Sequence, residues 1–418
     1  MKLESVPYFR PDVSEAEVEE VVAALRSGWL TTGPRVKRFE EEFALAVGAP
    51  HGVAVNSCTA ALHLAVEALG LREGQAVLIP TMTFAATAEV VRYLGAIPVL
   101  VDCDPVTLNL DLDDAARKLE ALRAGRLSAR IPAKAPVVGI IPVHVAGLML
   151  DVDRLRAFAQ ENDLWVVEDA AHAFPAAWRP TAGSRWQRCG EGTASVSCFS
   201  FYANKTITTG EGGMATTSDP VLADRMRLMS LHGLSQDAWR RYTGGGSWDY
   251  RILAPGFKYN LTDVAAAIGI HQLARAEAMR LERQSVADRY IEALSDVEEI
   301  ELPATDPNRI HSWHLFAVRL RLERLSIDRN AFVDALKESG VGCSVHWRPL
   351  HLHPYYEETF GWTGVDLPAA SSVWQRLVSL PIFPRMRDGE IAHVVESVKR
   401  LCLENRRIPA TAAAQRSR

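Results

Sequence analysis

The sequence holds no CxxC pair. Its six cysteines, Cys58, Cys103, Cys189, Cys198, Cys343 and Cys402, are scattered along the chain. That spacing argues against a zinc ribbon or a disulfide scaffold and fits a reducing compartment. No run of about 18 apolar residues occurs, so a membrane span is not expected. The opening residues, MKLESVPYFRPD, hold no apolar core of a secretory signal, and a cytoplasmic location is expected. Positive charge is not in excess: 46 Lys and Arg stand against 51 Asp and Glu, a net charge of −5. Such a chain is a poor candidate for general nucleic-acid binding. A Walker GKS or GKT sequence is missing, no GxGxxG follows a first strand, and no internal repeat is visible.

What is present is an ordinary globular balance, 48% apolar and 23% charged over 418 residues. Two or three structural units are expected at that length. Ser14-Glu15-Ala16-Glu17 reads as a capping box that opens a helix through Ser27. From Gly52 onward, short apolar runs alternate with helical patterns. Strands are expected at Val53–Val55, Ala76–Ile79, Ile97–Val101, Val137–Val143, Leu164–Val167 and Val196–Phe201, with helices at Thr59–Leu69, Phe84–Leu94 and Val152–Asn162. This pattern predicts an α/β fold with a mostly parallel sheet covered by helices. A long helix over Asp263–Leu294 leads to a smaller α/β unit, with strands at Trp313–Leu320 and Ser344–Trp347 and helices at Arg329–Ser339 and Asp388–Leu403. The expected division is 1–262, 263–403 and a frayed tail at 404–418. Leu122–Lys134 and Trp178–Cys189 read as surface insertions, and Gly244–Gly246 as a loop.

In open α/β sheets, ligands bind beyond the carboxyl ends of the strands. After the first strand comes Asn56-Ser57-Cys58-Thr59, small and hydroxyl residues entering a helix. This is either a phosphate nest or an ordinary helix cap. Glu168-Asp169-Ala170-Ala171-His172 follows another strand, and its acids suit a metal, a cap or a protonated heterocycle. After Val196–Phe201, Lys205 stands among small and hydroxyl residues, where desolvation lowers an amine's pKa and favours Schiff-base chemistry. Pyridoxal 5′-phosphate requires a lysine, an acid for its ring nitrogen and a phosphate cup together. The three segments supply that set. His346, His351 and His353 have no acidic or cysteine companions, and no metal is expected there. His63 reads as a packing or surface residue.

Nine segments carry a resemblance to a known family: GWLTTGPRVKRFEEEFA, SCTAALHLAVEALG, PTMTFAATAEVV, GAIPVLVDCD, PVHVAGLMLDVD, VVEDAAHA, FSFYANKTITTGEGGM, GFKYNLTDVAAAIGIHQL and VHWRPLHLHPYY. In this order, from about residue 8 to about residue 400, they resemble the DegT/DnrJ/StrS-type nucleotide-sugar aminotransferases, which are fold-type-I pyridoxal-phosphate enzymes. The resemblance implies a large cofactor-binding domain and a smaller C-terminal α/β domain. It matches Lys205 with the lysine that carries the cofactor, Asp169 with the partner of the ring nitrogen, and His172 with a residue near the ring hydroxyl. Phe84 matches the aromatic stacked on the ring, Ser200 a phosphate contact, and Ser57, Cys58 and Thr59 the phosphate turn. Cys58 stands where relatives usually carry Gly, which questions the conformation of that turn. Asn260 matches an asparagine that crosses a homodimer interface to the partner's cofactor.

His346 and Tyr356, with Trp347 and Tyr355, are expected near the sugar and base. Arg251, Lys258 and Arg348 are candidates for a diphosphate. His232 recurs in the family with either a structural or a functional role. The resemblance further implies amino transfer from glutamate to a nucleotide-linked keto sugar, at C4 rather than C3, through a pyridoxamine 5′-phosphate form. The alternatives are a 3-aminotransferase, a pyridoxamine-dependent sugar dehydratase, or a non-catalytic regulatory protein of the same fold. The dehydratase branch replaces the lysine with histidine, and Lys205 is present.

Overall fold

The computed structural model describes residues 5–235 and 251–407; the glycine run at 244–246 and the tail from 408 onward lie outside the described residues. Helices α1 (Glu15–Ser27) and α2 (Pro34–Ala46) precede β1 (His51–Val55). Then come α3 (Cys58–Ala68), β2 (Ala76–Pro80), α4 (Ala86–Tyr93), β3 (Ile97–Val101), α5 (Leu112–Arg123), β4 (Val137–Ile140), α6 (Val152–Glu161) and β5 (Trp165–Asp169). A hairpin, β6 (Ala177–Trp178) and β7 (Gln187–Arg188), leads to β8 (Val196–Ser200), β9 (Gly213–Thr217) and α7 (Pro220–Met229). The C-terminal part comprises α8 (Asp263–Leu294), β10 (Ile300–Glu301), β11 (Arg309–Ile310), β12 (Phe316–Leu320), α9 (Arg329–Glu338), α10 (Pro354–Phe360), α11 (Pro368–Trp374), β13 (Leu377–Leu380) and α12 (Asp388–Glu404).

The principal sheet has seven strands in the order β1-β9-β8-β5-β4-β2-β3. All its neighbours pair in parallel except β9, which runs antiparallel to β1 and β8. Strands β2 and β3, AVLIP and IPVLV, are buried at every position, as a sheet covered on both faces requires. One face packs on α3 through Leu62, Leu64 and Val66. The other packs Phe199 and Phe201 of the β8 edge on Phe39 and Phe43 of α2. A second sheet, β10-β12-β13, is antiparallel and shares a separate core with Phe332 of α9 and Val394 and Val398 of α12.

Helix α8 joins the two cores. Its 32 residues span about 48 Å, and the Thr262 side chain caps it by accepting the Ala265 N–H. At the other end of the chain, Ser14 and Glu17 form the capping box of α1.

Several expectations need correction. The strand expected over Val137–Val143 stops at Ile140, because Pro142 follows and His144–Gly147 turn away. Ser344–Trp347 is no strand; a lone bridge joins Ser344 to Ser379. Helix α12 continues through Glu404, and the Arg406 guanidinium donates to Glu299, so 404–407 are held in place.

Both insertions act as braces. Residues Ala177–Arg188 form the β6–β7 hairpin, which pairs with β11 in a three-stranded sheet. The stretch after α5 clamps α10: the Arg130 N–H donates to the Phe360 carbonyl and its guanidinium to that of Glu358.

Candidate active site

The carboxyl ends of β1, β5 and β8 open into a cavity of about 500 Å³. Its lining includes Ser57, Cys58 and Thr59, Asp169 and Lys205, and Phe84, His172, Ser200 and His346. Nine of the eleven candidate residues therefore share one space; Asn260 and Tyr356 do not.

The Ser57–Thr59 segment follows from local sequence. Ser57 is extended and caps α3, its hydroxyl accepting the Ala60 N–H at 3.1 Å. Cys58 is the first helical residue and has no left-handed backbone, so the doubt about a cysteine in this turn is removed. Its thiol donates to the Cys198 carbonyl at 3.5 Å, and burial pushes that thiol well above its ordinary pKa. Gly213, opening β9, lies against this turn. A Cβ there would stand 2.5 Å from the Ser57 carbonyl carbon and 2.6 Å from the Cys58 nitrogen. Gly213 thus leaves the turn its room, and the N-terminus of α3 faces the cavity with the positive end of the helix dipole.

Asp169 ends β5 and is 6% exposed. Its Oδ2 accepts from the Thr87 hydroxyl at 2.7 Å and its Oδ1 from the Ala171 N–H at 3.2 Å. Burial raises its pKa, while these two donors and Lys205 pull the other way. Thr87, on α4, is a positioning partner with no visible mark in the sequence. The preceding residue, Glu168, points to the opposite face of the sheet, as strand alternation demands. There it meets His144, whose Nε2 lies 3.3 Å from Oε1, and the hydroxyls of Thr193 and Ser197. The Leu150 N–H donates to His144 Nδ1, so the Nε2 of the neutral ring carries the hydrogen. Nε2 and Glu168 Oε1 face one another without completing a hydrogen bond, and Cys189 lies close by.

Lys205 sits in the loop after β8, and its own N–H donates to the Tyr202 carbonyl. The side chain lines the open cavity, but protein surrounds the amine, and burial lowers its pKa to about 8. Its Nζ lies 3.4 Å from Nε2 of His314. The His314 ring lies 4.1 Å from that of His172, which stacks on Trp347 at 5.0 Å. Burial, then the Lys205 charge, holds His172, His314 and His346 below their ordinary pKa values, with His346 near 4. His346 Nδ1 contacts the Ser379 hydroxyl at 2.9 Å. The cavity is therefore lined by neutral imidazoles at pH 7. Their buried Nδ1 atoms on His172 and His314 have no protein partner.

His314 is the functional candidate that sequence reasoning misses. Its segment precedes β12 and reads only as an apolar strand start. The segment is positioned by Gly147, whose φ of +99° favours glycine and whose missing side chain admits Ser312. Ser312 then hydrogen-bonds the His172 carbonyl.

Tyr356 does not face the cavity. It is 4% exposed and packs with Phe360 in the main core, while Tyr355 receives a hydrogen bond from Arg92. Arg348 donates to the Leu352 carbonyl and covers Trp374. Arg251, Lys258 and Arg348 all lie outside the cavity lining. His351 is held between the Thr81 and Ser371 hydroxyls, and His63 packs among Tyr93, Phe257 and Tyr259.

Asn260 pairs with Val55, accepts from Lys258 Nζ at 2.6 Å and donates to the Thr32 hydroxyl at 2.8 Å. It lines a larger cavity, about 750 Å³, beside α2 and α7. That larger space takes in the N-terminus of α2 at Gly33 but brings no lysine and acid together at strand ends, as the smaller one does.

Residues 11–399 match the DegT/DnrJ/EryC1/StrS aminotransferase family. The chain is 41% identical over 395 residues to the spore coat polysaccharide biosynthesis protein SpsC of Bacillus subtilis, covering 94% of this chain and 96% of that one. It superposes on Spr1654 of Streptococcus pneumoniae in its PLP form with a TM-score of 0.84 and 30% identity, over 96% of this chain and 99% of that one. The same protein in its PMP form gives the same score. DesV of S. venezuelae, in complex with a ketimine intermediate, gives 0.82 and 29% identity over 97% and 100% of the two chains.

Proposed function

The chain belongs to the DegT/DnrJ/EryC1/StrS aminotransferase family, and from that premise we propose that it moves an amino group from glutamate to the C4 ketone of a nucleotide-linked sugar. It is a pyridoxal-phosphate-dependent sugar aminotransferase of fold type I. The donor, the nucleotide and the C4 position are our reading. So is the setting, amino-sugar synthesis for a surface polysaccharide or a glycosylated metabolite, for which SpsC is the supporting relative.

The observation that carries the site assignment is the convergence of Lys205, Asp169 and the N-terminus of α3 on one cavity. The residues fit the cofactor. Asp169 is a buried carboxylate with room for a cationic partner, and Gly213 clears the Ser57–Cys58 turn for a phosphate. His172 Nδ1 is buried without a partner on the wall of the same cavity.

Bound pyridoxal phosphate supplies a sink for the electron pair left when the donor loses its Cα proton. The protein does the rest. Ser57, Thr59, Ser200 and the α3 amides would hold the phosphate, and Phe84, 64% exposed at the cavity edge, would offer its face to the ring. Asp169 holds a proton on the ring nitrogen by charge. With a pKa near 8, Lys205 has a neutral fraction at physiological pH, and its Nζ takes the donor's Cα proton. In the return half the same Nζ, carrying a proton, would deliver it to the sugar carbon that takes the amine, so one group would serve both substrates. His346 and Trp347, which line the same cavity, would offer an imidazole and a ring face to the sugar.

We further propose a homodimer in which Asn260 completes the partner's site. Its position outside the Lys205 cavity of its own chain supports that reading.

The test is purified protein with glutamate and a matched pair of 4-keto and 3-keto sugar nucleotides, followed by mass spectrometry. Amination of the 4-keto compound at the higher kcat/KM supports the proposal. Faster amination of the 3-keto compound, or reaction with free keto acids alone, contradicts it.

A further inference from the structure

A buried arginine lies behind Lys205 on the side away from the cavity. Arg283, on α8, is 2% exposed. Its Nη1 donates to the Trp313 carbonyl at 3.2 Å and the Ile382 carbonyl at 2.8 Å, and its buried Nε has no partner. No carboxylate among the described residues forms an ion pair with it. Arg319, also buried, shows the usual arrangement: Glu301 stands 3.1 Å away. A buried cation without a counter-charge is costly and is retained where it has work to do. Arg283, Lys205 and Asn204 line one void of about 10 Å³, room for about one water molecule.

We propose that the unpaired Arg283 guanidinium acts on Lys205 as a fixed positive charge and holds its amine in the free-base form that proton transfer needs. Arg283 is thus a positioning residue, acting through Lys205. The inference rests on the reading of Lys205 as the base.

The neighbours leave few competitors. Burial lowers the Arg283 pKa only to about 10, so it stays charged at neutral pH. Tyr8, the titratable group beside it, is pushed up by burial and stays neutral. Asp12 lines the same void but is bound by Arg275 and Arg385, and Arg10 by Glu390. Around Lys205 itself, Cys58 is a neutral thiol and His172, His314 and His346 are neutral imidazoles. Glu211 lies at the exposed rim. Two close charges then oppose one another across Lys205: Asp169 favours the ammonium, and Arg283 the amine.

Competitive labelling of the full-length, cofactor-free chain with trace acetic anhydride, read on the Lys205 peptide by mass spectrometry, gives the amine's titration midpoint. Wild type is expected to titrate near pH 8. Removing the unit charge that shares this void in Arg283→Met should raise the midpoint by about one pH unit. Arg283→Gln is a second neutral variant that retains a donor for the two carbonyls, and it should shift the midpoint likewise. Arg283→Lys keeps the charge and should stay near wild type. An unchanged midpoint in both neutral variants overturns the proposal. So does an equal shift in Arg283→Lys, which would assign the effect to packing. Because the chain is cofactor-free, this titration is readable whichever lysine joins the cofactor in the holoenzyme, a question that borohydride trapping answers separately.

Discussion

The amine of Lys205 rests 3.4 Å from Nε2 of His314, a residue 109 positions further along the chain. The lysine follows a strand of the principal sheet, and the histidine precedes a strand of the second one. The contact therefore spans the two packing units and closes the cavity from the C-terminal side. If Lys205 carries the cofactor as proposed, a neutral imidazole would be in place to accept an N–H of the freed amine while its lone pair stays available.

Replacing His314 by leucine should then slow turnover without emptying the site. A lost hydrogen bond of about 1 kcal/mol corresponds to roughly a fivefold fall in kcat. Cofactor affinity, measured by absorbance titration, should stay within about twofold on the same scale. Loss of cofactor binding instead would make His314 part of the binding wall.

Gly213→Ala tests the phosphate turn. The added methyl meets the Ser57–Cys58 peptide at 2.5–2.6 Å, a backbone contact that cannot swing aside. Overpacking of this kind costs about 1–3 kcal/mol, read as a lower unfolding midpoint in urea and a weaker cofactor Kd. Wild-type values for both would mean that the turn has slack.

Acid stability should depend on the cavity histidines. A histidine whose folded pKa is depressed binds fewer protons folded than unfolded between the two values, so stability rises with pH there. For His346 that window runs from about 4 up to the ordinary 6.5, and His314 acts in the same direction. Glu40, raised to about 7 chiefly by burial, works with the opposite sign, so the useful quantity is a difference. His314→Asn should lose less stability than wild type between pH 7 and pH 5 in urea titrations. A parallel loss in both proteins would show that His314 accepts a proton freely in the fold.

Subunit exchange tests the role of Asn260. Lys205→Ala and Asn260→Ala chains, each inactive alone, should regain activity on mixing, because one site per mixed dimer is intact. No recovery under conditions where exchange is verified would confine Asn260 to the structural bonds it makes with Lys258 and Thr32.

The sequence reveals those parts of the fold whose local pattern and burial agree. Ile97–Val101 is apolar throughout and fully buried, and Asp263–Leu294 is a long run with few breakers. Helix α2 escapes the reading because PRVKRFEEEFALA is highly charged on its outer face, while its apolar positions Val36, Phe39 and Phe43 are few. Strand β9, GMATT, carries no apolar alternation and is set by its neighbours β1 and β8. The site divides in the same way. Residues at strand ends, Lys205 and Asp169, are legible because the sheet edge is legible. His314, Thr87 and Arg283 are not, since each reaches the site through packing between distant segments. Tyr356 misleads because an aromatic near His346 in sequence turns into the core with α10.

The central claim is that Lys205 is the residue joined to the cofactor. Purified protein should be yellow, and borohydride should reduce that link and leave a pyridoxyl mass on the peptide containing Lys205, with no label in Lys205→Ala. A label on another lysine, or on none in protein shown to bind the cofactor, would contradict the account.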